Sequence, residues 1–240
     1  MKKLSINLFM SVAVIIFMTY CGGGKSSYDT ETEEETAAET EMEEATEGES
    51  AYSQKTVMRV VHEVEDFSKW IVGYEEKSDP EARISVYVNV DNPNEVTIFE
   101  FTKSHEEATE FIQSDEIKSA MDEYGVTTEP VLTLYDMKYI NIDEDPIGKY
   151  RVAIQHEVSD YASWKEKFDA DAERRAEAGL QLRGLATLPD QPNMVSIFFA
   201  TDNLESVKNM LDDPEMKKVM DDAGVISEPV VVFLTTPDSI

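Results

Sequence analysis

From Tyr150 to Val158, apolar and polar positions alternate. Tyr150, Val152, Ile154, His156 and Val158 fall on one side, and Arg151, Ala153, Gln155 and Glu157 on the other. A period of two is that of a strand. From Tyr161 the period becomes helical, with Tyr161, Trp164, Phe168, Ala172 and Ala176 on one face. Ser159 or Asp160 caps the start of that helix, and Gly179 stops it. Residues 180–188 and 194–200 read as two further strands joined by a Pro189-Asp190-Gln191-Pro192-Asn193 turn. A second helix starts near Asn203, breaks at Pro214 and resumes with Asp213 as its cap. That segment turns Met216, Val219, Met220 and Ala223 inward and ends at Gly224. A continuous apolar run, Val230 to Leu234, gives the last strand. The order is βαββαβ.

The same pattern occurs earlier in the chain. His62-Glu63-Val64, Asp66, Phe67 and Trp70 return 94 positions later as His156-Glu157-Val158, Asp160, Tyr161 and Trp164. After an insertion in the second copy the offset becomes 99. Pro93-Asn94, Ile98-Phe99, Glu116, Lys118, Met121-Asp122, Gly125-Val126 and Glu129-Pro130-Val131 then recur in order. Ordered matches with one change of length mark a duplication. The first copy has a shorter first helix, Asp66 to about Lys77, closed by Asp79-Pro80. The modules span 55–140 and 148–236, with Asn141 to Gly148 between them.

The His-x-Val-x-Asp-[Phe/Tyr]-x-x-Trp start, the Pro-Asn turn and the Glu-x-Lys-x-x-Met…Gly-Val…Glu-Pro ending resemble small modules of the antibiotic-biosynthesis-monooxygenase type. These belong to the dimeric α/β-barrel superfamily. The resemblance covers both copies, and it implies an α+β fold of tandem ferredoxin-like modules. Such modules ordinarily pair as dimers, so the duplication implies a monomer that builds its barrel within one chain. Pairing covers sheet faces that a module of this size would leave wet.

Composition changes the picture mainly outside the modules. Lys2 and Lys3 precede an apolar run from Leu8 to Met18, too short for a spanning helix and fitting a signal peptide over residues 1–20. Cys21, the single cysteine, follows that run in Met18-Thr19-Tyr20-Cys21, which resembles a lipobox in which Tyr20 replaces the usual small residue. We expect Cys21 to be lipidated, which places the protein at the bacterial cell envelope, on its periplasmic or surface face. Acylation would also remove the thiol from disulfide, metal or nucleophile chemistry. Residues 28–50 carry Asp29 and ten glutamates with no base, so 21–54 reads as an anchor followed by a self-repelling spacer. A net charge of −29 argues against nucleic acid as a partner.

The chemistry-bearing residues are few. His62 shares a strand face with Met58, Val60 and Val64, and His156 with Val152, Ile154 and Val158. Each has a tryptophan eight positions on, Trp70 and Trp164. A neutral imidazole beside an indole could polarise a bound phenol or quinol, or ligate haem; the same pair could equally be packing. Relatives of the resembled type carry a His one turn after a Phe-Asp pair, followed by an Arg. Here Phe168-Asp169-Ala170-Asp171 puts Asp171 in that place, with Arg174 or Arg175 after it. Asp171 with Arg174 also suits a surface ion pair. His105-Glu106-Glu107 opens a helix whose dipole the acids complement. With three histidines, no paired-His helix motif and no serine-nucleophile motif, neither a metal site nor a cofactor is expected. Met121, Met216 and Met220 read as core. The expectation is a non-catalytic envelope lipoprotein that binds a small apolar or aromatic ligand, or a partner protein. The alternatives are a monooxygenase-like enzyme and a structural scaffold.

Overall fold

The computed structural model describes residues 56–237. The expected signal peptide, Cys21 and the acidic tract lie outside the described residues. Module 1 runs β1 (Thr56–Glu63), α1 (Phe67–Lys77), β2 (Arg83–Asn89), β3 (Glu95–Thr102), α2 (His105–Gln113), α3 (Asp115–Glu123) and β4 (Val131–Ile140). Module 2 runs β5 (Tyr150–Glu157), α4 (Tyr161–Ala170), α5 (Ala172–Glu177), β6 (Gln181–Leu188), β7 (Gln191–Thr201), α6 (Leu204–Leu211), α7 (Pro214–Ala223) and β8 (Val230–Thr235).

All eight strands join in one antiparallel closed barrel, in the order β1-β3-β2-β8-β5-β7-β6-β4. Within each module the first strand pairs with the third and the last. His62 faces Val96 across one such ladder, and His156 faces Val195 across its counterpart. That leaves β2 and β4 as edges of one sheet, and β6 and β8 as edges of the other. An unpaired edge presents a row of free backbone groups. The two sheets remove their edges by pairing with each other. At one seam β4 meets β6 from Asp136↔Thr187 to Ile140↔Gly184, extended by Asn141 N–H to the Arg183 carbonyl at 2.9 Å. At the other, β2 meets β8 only through Val88↔Thr235 and Asn89↔Leu234, followed by Val90 N–H to the Phe233 carbonyl at 3.0 Å. The tandem ferredoxin-like barrel expected from the duplication is therefore the observed fold.

The middles of strands β3 and β7 are buried on both faces, including the polar Thr97, Glu100 and Ser196. One face of each sheet packs on its module's helices, forming two separate cores. His62 is buried beside the first core and His156 beside the second. The other faces meet inside the barrel, where the Phe198 ring stands edge-on to Phe99 and Tyr135, both at 5.4 Å. Module 2 thereby anchors an aromatic side chain in module 1.

Helix starts follow the predicted caps. Asp66 Oδ1 accepts from Lys69 N–H at 3.1 Å, and Asp160 Oδ1 from Ser163 N–H at 2.9 Å. Gly224 closes α7 at φ 89°, where a Cβ would lie 2.8 Å from Ser159 Oγ. Three local expectations are corrected. The turn before β7 is only Pro189-Asp190, because Gln191 already pairs with Leu188. The helix expected to run from Tyr161 to Gly179 breaks at Asp171, whose N–H bonds the Phe168 carbonyl three residues back while its carboxylate is held by Arg174. The break rotates the final turn, so Ala176 is exposed and Arg175 turns inward instead. Val219 is exposed as well, at the rim of a cavity rather than in a core.

Candidate functional site

In module 2, strand β5 directs His156 towards the helices, and the Asp160 cap sets the start of α4 directly after it. Trp164 then lies edge-on to His156, with ring centroids 5.8 Å apart. One turn on, Phe168 stacks on Trp164 at 4.8 Å. Arg175 lies over the outer face of Phe168 at 3.6 Å and also donates to the Phe168 carbonyl. On the opposite side, α6 and α7 contribute Met210, Met216, Val219 and Met220. Between these walls is a cavity of about 460 Å³ bordered by His156 and Trp164.

His156 is 4% exposed, and neither ring nitrogen has a hydrogen-bonding partner among the described residues. Burial disfavours the imidazolium and holds the pKa down at about 4. At neutral pH the ring is therefore uncharged, with one nitrogen able to donate and the other to accept. An unmade buried hydrogen bond costs roughly 1–3 kcal/mol. Both nitrogens are buried, and the residue borders the cavity.

Asp171 and Arg174 both reach the same cavity, at its rim. They form a bidentate pair, Arg174 Nε and Nη2 each 2.6 Å from the carboxylate, and Arg174 also reaches the Met216 sulfur at 3.9 Å. Lys167 donates across the rim from α4 to the Asp222 carbonyl on α7. Of the two arginines offered by the sequence after Asp171, it is Arg175 that meets the Phe168 ring, and one contributor, Lys167, escaped sequence reasoning. Arg175 is seven residues after Phe168 and so on its face, a spacing that was available. Lys167 was visible only as a helical lysine.

Module 1 has the same histidine and tryptophan in a different setting. His62 is 4% exposed, its nitrogens also lack partners, and Trp70 stands edge-on at 5.3 Å. Burial again lowers the pKa to about 4. Yet the space beside it is only about 90 Å³. Tyr124, aligned with Ala223, lies flat on Gly73, aligned with Lys167; a Cβ there would come within 2.3 Å of the Tyr124 ring. Tyr74, aligned with Phe168, stacks on Trp70 at 5.1 Å and donates to buried Glu100 at 2.6 Å. Burial pushes the Glu100 carboxyl upward, so it is biased towards its neutral form. Module 1 is plugged and module 2 is open.

His105 lies apart from both sites, its Nε2 3.3 Å from Asp136. Among the described residues, no group of three His, Cys, Asp or Glu side chains is arranged to hold a metal ion.

No family model matches the chain. No curated protein matches it either. Solved structures do. A candidate monooxygenase from Lactobacillus acidophilus NCFM superposes with a TM-score of 0.50 at 14% identity, over 75% of this chain and 93% of its own. An anthrone oxidase-like protein gives 0.50 at 16%, over 77% and 92%. A candidate chlorite dismutase gives 0.53 at 11%, over 77% and 96%. At these identities the shared property is the fold.

Proposed function

Starting from a chain with the ferredoxin-like, dimeric α/β-barrel fold of antibiotic-biosynthesis-monooxygenase-type proteins, we propose that module 2 binds a small flat aromatic molecule bearing a hydroxyl group, such as a phenol or quinol. The observation that carries this is His156, neutral, buried and unpartnered, facing a cavity walled by Trp164, Phe168 and methionines. An aromatic guest would pack against the edges of Trp164 and Phe168 and the methionines opposite, with its hydroxyl directed at the imidazole.

Binding is favoured over catalysis by a magnitude. A phenolic hydroxyl has a pKa of about 10, whereas His156 is held at about 4. Complete proton transfer between them would be uphill by roughly 8 kcal/mol at about 1.36 kcal/mol per pKa unit. A neutral hydrogen bond is the better use of this imidazole. The second reading, an oxidase or monooxygenase activity, is supported by the fold shared with proteins described in those terms and by the location of His156 at the cavity wall.

Titrating 2-naphthol into a Trp70→Phe background, with Trp164 fluorescence as the readout, is expected to give saturable quenching. His156→Leu is expected to weaken binding about tenfold, the equivalent of one hydrogen bond at roughly 1.4 kcal/mol. Unsaturable quenching, or unchanged affinity in the variant, would refute the binding site. Dioxygen consumption with anthrone above the uncatalysed rate, lost in His156→Leu, would establish the second reading instead.

The site would operate at the cell envelope, the protein held to the membrane by a lipid on Cys21. This follows from the apolar run, Cys21 and the acidic spacer. Cys21→Ser is expected to move the protein from the membrane to the soluble fraction; unchanged partition would defeat the assignment.

A further inference from the structure

A second cavity, of about 290 Å³, opens at one end of the barrel interior. It lies beside the segment joining the modules, on the faces of the sheets turned away from both histidines. Its walls are mostly apolar and include Val57, Phe99, Met137, Phe198 and Leu234, four of them fully or nearly fully buried. Two arginines, Arg151 on β5 and Arg183 on β6, border this apolar space. The placement is notable in a chain with 50 acidic and 21 basic residues.

Both guanidiniums are positioned by neutral oxygens. Arg151 Nε donates to the Tyr87 hydroxyl at 3.2 Å, and its Nη1 to the carbonyls of Gly148 at 3.1 Å and Tyr150 at 2.8 Å. Arg183 Nη1 donates to the Glu144 carbonyl at 2.9 Å. The Glu144 carboxylate is engaged by Asn141 Nδ2 at 2.8 Å. Among the described residues, neither arginine makes an ion pair with a carboxylate, in contrast to Arg174. Burial and the charge of Arg151 both push Arg183 down, opposed by Tyr87, Tyr139 and Glu144.

We propose that this end of the barrel is a second ligand site, taking an apolar monocarboxylate with its carboxylate on Arg151 and Arg183 and its hydrocarbon body among Phe99, Phe198 and Leu234. The planar fork of a guanidinium matches a carboxylate, and a charge-assisted bond in a half-buried setting is about twice as strong as a neutral one. The apolar walls select against small hydrophilic anions, which would give up their own hydration without gaining apolar contact. Glu144 and Asp145 also line the cavity but make no ion pair with either arginine; a carboxylate bound directly on the two partly desolvated cations would supply that contact.

Calorimetric titration of the full chain with octanoate, phenylacetate and the uncharged octanamide tests this. Octanoate or phenylacetate is expected to bind one to one and at least tenfold more tightly than octanamide; which of the two wins tells an aliphatic from an aromatic body. Arg183→Gln is expected to weaken that binding at least tenfold, with Arg183→Lys between it and the parent. The thermal midpoint of unliganded Arg183→Gln is expected to equal or exceed that of the parent, separating loss of binding from loss of fold. Its 2-naphthol affinity is expected to be unchanged, because that cavity lies on the other face of the sheet. Absence of carboxylate binding, equal affinity for octanamide, or full affinity in Arg183→Gln would each overturn the proposal.

Discussion

Acidification from pH 7 to pH 4 is expected to remove about 3 kcal/mol of folding stability through each of His62 and His156. Both pKa values fall from 6.5 in the unfolded chain to about 4 in the folded one. Between those values the unfolded chain binds protons that the folded chain refuses, so stability rises with pH across the window and is lost as pH falls through it. Above pH 6.5 the imidazoles are neutral in both states and the contribution is level. Other groups titrate in the same range. Glu100, whose carboxyl is pushed upward by burial, acts in the opposite direction, since folding favours its protonated form. The measurement is therefore a difference. Denaturant unfolding is followed from pH 7 to 4 for the parent and for His62→Leu/His156→Leu, and the parent should lose several kcal/mol more. Parallel profiles would show that neither ring is desolvated in the folded chain. At pH 7 the double variant should match or exceed the parent by about 1 kcal/mol, because unpartnered nitrogens are exchanged for carbon. Stability would then not be the reason for having these histidines.

Moving the module 1 plug into module 2 is expected to abolish 2-naphthol binding. Tyr124 fills module 1 because Gly73 leaves a flat surface for its ring; the aligned residues in module 2 are Ala223 and Lys167. Lys167→Gly/Ala223→Tyr should therefore close the 460 Å³ cavity, with at least a hundredfold loss of affinity. Ala223→Tyr alone should do less, since Lys167 occupies the landing surface. The reciprocal Tyr124→Ala should enlarge the space beside His62 and lower the thermal midpoint, since the ring packs on Gly73. Naphthol binding to that variant, read from Trp70 fluorescence in a Trp164→Phe background, would show that the Tyr124 plug is what closes module 1. Undiminished binding in the Lys167→Gly/Ala223→Tyr variant would place the ligand elsewhere.

The repeat made the fold legible, because its alternating strands, caps and stop glycines recur twice in register. The inward direction of both histidines and tryptophans was equally readable from period alone. What periodicity concealed was where packing stops. Met216 and Met220 have helical spacing whether they fill a core or line a cavity, and only the distance between α4 and α7 separates those cases. Spacing left Arg174 and Arg175 as alternatives, and the break at Asp171 separates them, Arg174 pairing with Asp171 and Arg175 lying over Phe168. Glu100 carried a usable signal. It interrupts the apolar face of β3 at the position aligned with Phe199, and an acid there requires a partner such as Tyr74. Arg151 and Arg183 were not identifiable, since strand alternation marks them as facing away from the helices without revealing that a second sheet encloses them.

Joining both halves of the barrel in one chain also frees the fold from symmetry. Two identical subunits must carry the same substitution in both pockets, so a tyrosine that stabilises one site by filling it would eliminate the other. Here Tyr124 and Ala223 occupy equivalent places without that conflict. One half can serve as a rigid support while its sibling keeps an unfilled interior. Covalent linkage makes their pairing intramolecular, so the open half retains its support however dilute the protein becomes.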